Sequence, residues 1–450
     1  MKTKIKIHIP IFETQKISKN RENRKVKLRL STTLINVKQT AEIEIDFNNL
    51  LPFVNLTSSI VTSFFLFTAS VYGIDRFIER RRNSIDGWSR DFQIEFPVND
   101  VSIWNSAKDQ IETMLSFLTG DYWSINFYRG KFKFPIAPLK KEFEGTFAKV
   151  NLFSGGLDSL IGALDHLESK PNEKIILVSH YDKKMGGPKG DQAGLLKLLD
   201  PIYGNQYVQV PSINVSLENS TIKKTETTLR SRSLLFSGMA LLIAQSKNIS
   251  SIILPENGSV SLNFPLSPSR RSACSTRTTH PTVLSLLKKI WLKFGLDTTI
   301  KNPYEFKTKG EMVAECKDQI NLSKMLGNSN SCGKRGHRAH WERLGTHCGV
   351  CMPCVYRRAS VLKIEDKTIY GNNLNNLDFL KKKGQDMAAL LNFLKKRLTI
   401  KEIKNELIVN GINDLGKLNQ YSDLVRRTRS ELKQYINKFG NAKLKKRSGL

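Results

Sequence analysis

Residues Asn151 to Ser159 read Asn-Leu-Phe-Ser-Gly-Gly-Leu-Asp-Ser and are the part of the sequence most informative about its fold. An apolar run leads into it, as expected of a buried parallel strand, and apolar residues at helical spacing follow it to Leu164. Between them, Gly155 and Gly156 let the backbone come close to an anion, and the free amides at the start of a helix point at that anion. The stretch therefore predicts a phosphate-binding turn between a strand and a helix.

The side chains of this turn indicate what kind of phosphate it binds. Ser154 and Ser159 add hydroxyl donors, whereas Asp158 would repel a bare phosphate and fits only if it holds a Mg²⁺ that bridges to one. The pattern Ser-Gly-Gly-x-Asp-Ser differs from the Gly-x-x-x-x-Gly-Lys-Ser/Thr loop of kinases and GTPases. A purely structural turn is the alternative, since glycine pairs also occur in ordinary turns.

The same pattern resembles the pyrophosphate loop, or PP-loop, of the ATP pyrophosphatase family. Members of that family cut ATP between its α- and β-phosphates and adenylate a substrate oxygen. The resemblance implies an adenine nucleotide alpha-hydrolase-like fold and ATP bound by Ser154, Gly155, Gly156, Leu157, Asp158 and Ser159.

Composition places the chain among globular proteins with anionic partners. Its 450 residues are 40% hydrophobic and 25% charged, and the net charge of +30 suits nucleic acid, nucleotides or an acidic protein. Lysines that merely solvate the surface are the alternative. The uncharged segment 51–74 is interrupted by polar residues, which favours a buried helix over a membrane span. The late clustering of six cysteines suits metal rather than disulfides and indicates a cytoplasmic protein.

The pattern of elements suggests four regions. Residues 1–145 form a predicted α+β domain without a catalytic constellation, assigned by elimination to recognition or partner binding. Residues 146–320 alternate strand and helix, which predicts a doubly wound parallel sheet with ligands at the carboxyl ends of its strands. Residues 321–371 carry the cysteines, and residues 372–450 form a small basic helical domain whose tail, Lys443–Arg447, is predicted to be disordered.

Polar residues past the predicted strand ends are candidates for binding substrate. Glu256 and Asn257 follow the strand at 251–254, and the loop Ser275–Pro281 is dense in hydrogen-bonding groups. Within that loop, an anion or nucleobase site and a solvated loop are equally good interpretations. The candidate residues of the loop are Arg277, Thr278 and His280.

Two cations are candidates for phosphate chemistry. Arg232 lies near the start of a predicted helix at 228–246, where the helix dipole disfavours a cation, and this mismatch favours a functional role. Lys309 precedes another predicted helix, although a solvated lysine is the simpler interpretation there.

Four cysteines predict a metal site: Cys332, Cys348, Cys351 and Cys354. Thiolates three residues apart converge on one ion, and four sulfurs leave no open position, so Zn²⁺ here would be structural. His337, His340 or His347 could replace one thiolate, an iron–sulfur cluster fits the spacing too, and unliganded buried cysteines are a further alternative.

These motifs occur in the same order as in the QueC family, the 7-cyano-7-deazaguanine synthases. The resemblance covers about residues 146–371. It is based on the loop 154–159, Arg232 ahead of Leu-Leu-Phe, the stretch Thr308–Val313, and Cys-Gly-x-Cys-x-x-Cys. The long flanks and the Ser-Thr-Arg-Thr-Thr-His-Pro loop resemble the QueC-like proteins of bacterial anti-phage defence systems, such as the Qat system. Two departures are a longer, basic segment between Cys332 and Cys348 and a longer loop at 182–192.

The resemblance implies an ATP-dependent ligase that activates a deazaguanine carboxylate and forms an amide or nitrile. It implies structural zinc on the four cysteines, Mg²⁺ on Asp158, and Arg232 and Lys309 beside the α-phosphate. The attacking amine could be ammonia or belong to a protein partner from the same defence system. A PP-loop enzyme that adenylates a tRNA base is the alternative, which the charge of +30 suits.

Overall fold

The computed structural model describes residues 5–8, 25–54, 59–130, 145–267, 277 and 279–450. Within these residues the chain is a mixed α/β protein built on one ten-stranded sheet. In chain order the strands are β1 (Ile5–His8), β2 (Lys25–Leu34), β3 (Val37–Asp46), β4 (Asp91–Val98), β5 (Tyr122–Arg129), β6 (Lys149–Leu152), β7 (Ile175–Tyr181), β8 (Tyr207–Glu218), β9 (Ser251–Ile253) and β10 (Thr299–Lys301).

The strand order across the sheet is β10-β9-β6-β7-β8-β3-β2-β1-β4-β5. Strands β10, β9, β6, β7 and β8 are mutually parallel. Strands β8, β3, β2 and β1 pair antiparallel, and β1, β4 and β5 are again parallel. Strand β6 lies between β7 and β9, so the chain order reverses beside it, which is where open α/β sheets bind ligands.

Strand β8 connects the two halves of the sheet. Its first part pairs with β7 from Ile175↔Tyr207 to Tyr181↔Asn214. Its last four residues, Val215 to Glu218, pair with β3. The sheet is therefore continuous across residue 145, where the sequence predicts a domain boundary, and that boundary stays a prediction.

Sixteen helices are found in the described residues. They are α1 (Ser59–Phe77), α2 (Arg80–Asn83), α3 (Val101–Ser106), α4 (Lys108–Thr119), α5 (Leu157–Ser169), α6 (Pro188–Tyr203), α7 (Arg232–Ser246), α8 (Gly258–Leu262), α9 (Pro281–Lys293), α10 (Lys309–Ala314), α11 (Gln319–Met325), α12 (Met352–Ser360), α13 (Gln385–Lys395), α14 (Ile400–Val409), α15 (Leu418–Phe439) and α16 (Ala442–Ser448).

Two sequence predictions about helices are wrong. The helix predicted at 228–246 begins at Arg232, because Leu229 has a positive φ of 52° that a right-handed helix does not allow. The tail predicted to be disordered forms α16, whose first turn is capped by the Asn441 side chain and whose Leu444 is buried.

Side chains alternate across β7, which gives the parallel half a core on each face. Ile176 and Val178 face the core that contains α1, α7 and α9. Ile175 and Leu177 face the core that contains α5 and α6. This period-2 pattern of a strand buried on both faces is typical of a sheet covered by helices on both sides.

The predicted buried helix near residues 51–74 is found as α1. Its Phe64, Phe65 and Phe67 are fully buried, and it packs along α7. At the crossing, a Cβ on Gly238 of α7 would overlap the Thr68 side chain of α1, so the two helices are in backbone-close contact. None of the helices in the described residues has both the length and the apolar character needed to span a bilayer.

A buried ion network ties α1 to the starts of β4 and β5. Arg90 is fully buried, and its Nη2 lies 2.6 Å from Asp75 Oδ1 and 2.7 Å from Asp121 Oδ2. Arg80 Nη1 lies 2.6 Å from Asp121 Oδ1. Because each buried charge has a close opposite partner, the desolvation cost is offset as long as the network is complete.

Candidate functional site

The predicted phosphate loop lies at the carboxyl end of β6, where the strand order reverses. Gly155 has a φ of +85°, a conformation that side chains other than glycine rarely adopt. Gly156 is the N-cap residue of α5 and contributes no capping side chain. The Ser154 backbone N–H donates to Ser159 Oγ at 3.2 Å, and the Gly156 N–H donates to Ser154 Oγ at 3.3 Å. The loop is thus held by its own hydroxyls at the start of α5.

Asp158, in the first turn of α5, is the centre of a buried charged cluster. Its Oδ2 accepts from the Asn257 side-chain amide at 2.7 Å, and its Oδ1 contacts the Lys309 ammonium. A side-chain hydrogen bond also joins it to Glu256. The turn after β9 supplies Glu256 and Asn257, and α10 supplies Lys309 as its first residue. Two separate segments, the turn after β9 and the start of α10, therefore converge on the Asp158 carboxylate of α5.

The two acidic side chains of this cluster differ in protonation. Burial, and then the neighbouring Asp158 carboxylate, raise the pKa of Glu256 well above its usual range. For Asp158 burial acts in the same sense, but Lys309 and the hydrogen bonds to Glu256 and Asn257 prevail and lower its pKa. These opposite pKa shifts favour a proton on Glu256 beside an ionised Asp158, as expected of two adjacent carboxyl groups.

The helix that carries Lys309 is held on both sides. A capping box between Thr308 and Glu311 closes its first turn. From the C-terminal helix α15, Glu431 accepts from the Gly310 N–H at 3.3 Å and contacts the Thr308 hydroxyl. A Cβ on Gly310 would overlap the Glu431 carboxylate, so this approach requires glycine. The C-terminal helices thereby help to fix the position of Lys309.

A cavity of about 540 Å³ opens in front of this cluster. The phosphate loop and the charged cluster form one end of it, and residues from the cysteine region and from α13 form the other. Its charged lining residues are Asp158, Glu256, Lys309, Lys334 and Asp386, and its larger apolar ones include Phe264, Leu266, Met352 and Tyr356. The cavity thus has charged side chains at one end and an apolar wall that suits a planar ring system.

The four predicted metal ligands come together beside the cavity. The Sγ atoms of Cys332, Cys348, Cys351 and Cys354 all lie within 4.8 Å of one another, a grouping that could bind a metal such as zinc. The backbone N–H groups of Cys348 and Cys351 donate to thiol sulfurs at 3.3 Å each, which favours thiolates. None of the described histidines joins the group.

His347 instead hydrogen-bonds to the backbone next to Cys332. It is fully buried, and its Nε2 accepts from the Ser331 N–H at 3.4 Å while Nδ1 faces the Thr346 hydroxyl at 3.0 Å. The predicted substitution of a histidine for a thiolate therefore has no support in this geometry.

Arg232, a predicted catalytic residue, lies away from the cavity lining. Its guanidinium is 5.4 Å from the Phe236 ring centroid and interacts with Tyr72 and Asp182. Burial, and then the charge of Arg232, lower the pKa of His180 to about 3. Arg232 thus belongs to a buried cluster between α1 and the end of β7.

Two predicted substrate ligands also lie elsewhere. Arg277 stacks on Phe117, 4.1 Å from the ring centroid, and donates to the Phe117 carbonyl at 3.3 Å. Burial, and then Arg277, lower the pKa of His280 to about 3, and its Nδ1 accepts from the Thr282 N–H to cap α9. The His280 ring also packs on Phe117 of α4, and Arg277 lies 3.5 Å from the Asn410 side-chain oxygen after α14. Thr278 lies outside the described residues.

Sequence reasoning missed several residues of the cavity. Ser331 and Lys334 flank Cys332, and their proximity to a metal ligand that lies near the loop is a signal that could have found them. Tyr356 carries the same signal, since it lies two residues after Cys354, whereas Phe264 and Asp386 carry none, because long-range packing of separate regions brings them to the cavity.

Comparison with known proteins does not place the chain in a family. No family model matches its sequence, and no curated protein is similar to it. The argument for a function therefore depends on the motifs and on the geometry of the cavity.

Proposed function

We propose that the protein is an ATP-dependent adenylating enzyme of the QueC-like, PP-loop type. The observation that carries this proposal is the convergence of Asp158, Glu256 and Lys309 at the glycine turn, in front of a large cavity. A purely structural turn would have no need of a protonated carboxyl group and a buried ammonium at the mouth of a pocket.

In this proposal the triphosphate of ATP lies against residues 154–159. Backbone amides at the start of α5 and the serine hydroxyls donate to phosphate oxygens. The carboxyl pair of Asp158 and Glu256 suits Mg²⁺, because a divalent cation can take the place of a proton on Glu256. When bound, Mg²⁺ would offset the negative charge of the phosphates.

The reaction itself needs mainly positioning and charge. A carboxylate oxygen of the acid attacks the α-phosphorus, the bond from that phosphorus to the bridging oxygen breaks, and pyrophosphate leaves. The Lys309 ammonium, held by the α10 cap and by α15, stabilises negative charge as it develops on the phosphate. The proposal assigns no step to Arg232, which does not line the cavity, and a catalytic role for Arg232 stays a prediction.

An amine then attacks the acyl-adenylate and displaces AMP to give an amide. The QueC-like motifs favour a deazaguanine carboxylate as the acid, and the apolar wall with Phe264 and Tyr356 suits a planar ring. The resemblance to anti-phage proteins favours a cytoplasmic defence role with a protein amine as one acceptor. Ammonia would instead give a free amide, and a second adenylation, of the amide oxygen, followed by loss of AMP would give the nitrile.

The test measures pyrophosphate release with MgATP and 7-carboxy-7-deazaguanine, followed by mass spectrometry of every product. We expect acid-dependent release by the wild type, and at least about a 100-fold loss in Lys309→Gln or Asp158→Asn. Lys307→Gln is the matched control, because Lys307 is two residues away, pairs with Glu315 and does not line the cavity. Equal rates for the Lys309 and Lys307 variants would refute the proposal.

Adenylation of a tRNA base is the second candidate, favoured by the net charge of +30. The same assay with tRNA in place of the acid separates the two. Release of pyrophosphate that depends on RNA, and that falls steeply with added salt, would favour the RNA substrate.

A further inference from the structure

The segment Asn330–Lys334 is hydrogen-bonded to the phosphate loop. The Asn330 N–H donates to the Gly155 carbonyl at 2.9 Å, and the Leu157 N–H, the first of α5, lies 3.5 Å from Ser331 Oγ. The segment therefore forms a wall of the cavity directly beside the site proposed for the triphosphate.

The cysteine cluster fixes the other end of this segment. Cys332 Sγ accepts from the Lys334 N–H at 3.4 Å and from the Cys348 N–H at 3.3 Å. The Cys332 N–H in turn donates to Asn330 Oδ1 at 2.9 Å. Because its backbone is bonded to a thiol of the cluster, Lys334 is held at a defined place on the cavity wall.

The charges that line the cavity single out Lys334. Among its described lining residues there are two cations, and Lys309 is already in contact with Asp158. The Lys334 ammonium is 3.5 Å from Asp386 Oδ2, longer than the roughly 2.7–2.9 Å of a strong charge-assisted hydrogen bond. Their side chains are 33% and 25% exposed, so this pair is loose, partly solvated and open to exchange of partners.

We propose that Lys334 binds the carboxylate of the acid substrate, with Asp386 as its counter-ion when no acid is bound. The inference rests on the proposed adenylating function and names the residue that selects for an acid. It also gives the cysteine cluster a role in substrate binding, because the cluster holds the backbone that presents Lys334.

The experiment has two measurements. Titration calorimetry in the presence of a non-hydrolysable ATP analogue and Mg²⁺ measures the binding of 7-carboxy-7-deazaguanine. Steady-state kinetics measure the KM values for the acid and for ATP. We expect Lys334→Gln to weaken acid binding and raise its KM by about 10- to 100-fold, as for loss of a charged hydrogen bond, with the KM for ATP and the zinc content unchanged. Asp386→Asn should act in the opposite sense and tighten acid binding, because it frees Lys334 from a competing carboxylate.

The outcomes separate this inference from the proposed function. If Lys334→Gln binds the acid as tightly as the wild type, or if both variants weaken binding together, the assignment of Lys334 is overturned while adenylation can still stand. If the wild type binds the acid but releases no pyrophosphate, the adenylating function fails and the assignment of Lys334 as a carboxylate ligand survives. A wild type that neither binds the acid nor turns it over overturns both.

Discussion

Replacing Glu256 with glutamine is expected to change how the stability of the protein depends on pH. Burial and the neighbouring Asp158 raise the pKa of Glu256 well above 4.5, so the folded protein keeps a proton that the unfolded chain has released. The free energy of unfolding of the wild type therefore falls as pH rises from about 4.5 through the folded pKa, by up to about 1.4 kcal/mol per pH unit for one proton. Glutamine does not titrate, so Glu256→Gln lacks this decline.

The opposite shift of Asp158 does not obscure this effect. Because its folded pKa is lowered, Asp158 contributes stability that is present above its unfolded pKa and lost only as pH falls through the folded one. That loss lies at more acid pH than the window in which Glu256 acts. Between about pH 5 and 8 the difference between wild type and Glu256→Gln therefore reports the proton on Glu256.

The assay is urea denaturation of the apo protein at pH 5, 6, 7 and 8. The stability of Glu256→Gln relative to wild type should increase with pH until the folded pKa is passed, with equal m-values. Glu315→Gln, which removes an exposed carboxylate outside the cavity, should follow the wild type. If the free energies of unfolding of wild type and Glu256→Gln change in parallel with pH, Glu256 is ionised in the folded protein. The interpretation that Mg²⁺ takes the place of a proton on the carboxyl pair would then be wrong.

Three further substitutions test other parts of the structure. Arg90→Met should lower the free energy of unfolding by about 3–5 kcal/mol in urea titrations, because it removes the buried cation that contacts both Asp75 and Asp121. Cys354→Ser should reduce bound zinc to well below one ion per chain by elemental analysis, because three sulfurs do not close a tetrahedral site. Gly310→Ala should slow pyrophosphate release while changing stability by less than about 1 kcal/mol, because its methyl group displaces only the flexible end of Glu431, and alanine favours the helix.

Each substitution has a matched control. Arg82→Met removes one member of an exposed ion pair and should change stability by less than about 1 kcal/mol. Cys316→Ser removes a thiol outside the cluster and should keep its zinc. Gly327→Ala places a methyl group in open space and should keep its activity. If a control variant behaves like its test variant, the explanation given for that test variant is wrong, whether it concerns the Arg90 ion network, the four-cysteine metal site or the contact of Gly310 with Glu431.

The central part of the candidate site could be predicted because its residues follow strand ends. Glu256 follows β9 and the loop 154–159 follows β6, and these strands are parallel neighbours, so their carboxyl ends meet. The cysteine cluster could be predicted from local spacing in the same way. For both, short-range rules constrain which residues come together.

The sequence prediction was less successful where long-range packing decides the outcome. The cation at a helix start, Arg232, and the polar loop around His280 favour a functional role, but Tyr72 of α1 and Phe117 of α4 interact with these side chains, which do not line the cavity. Asp386 reaches the cavity from the C-terminal helices, and no local pattern indicates that docking. The parallel strand periodicity likewise gave no sign that β8 continues into antiparallel pairing with β3.

That double pairing of β8 limits how the protein can be divided. A truncated chain that starts near residue 146 would lose the partner of Val215–Glu218 and present that segment as an open strand edge. Such an edge recruits other chains, so the shortened protein is expected to aggregate on expression even though every residue around the phosphate loop is still present. The function of this protein is therefore better examined by point substitution in the whole 450-residue chain than by excising the half that carries residues 154–159.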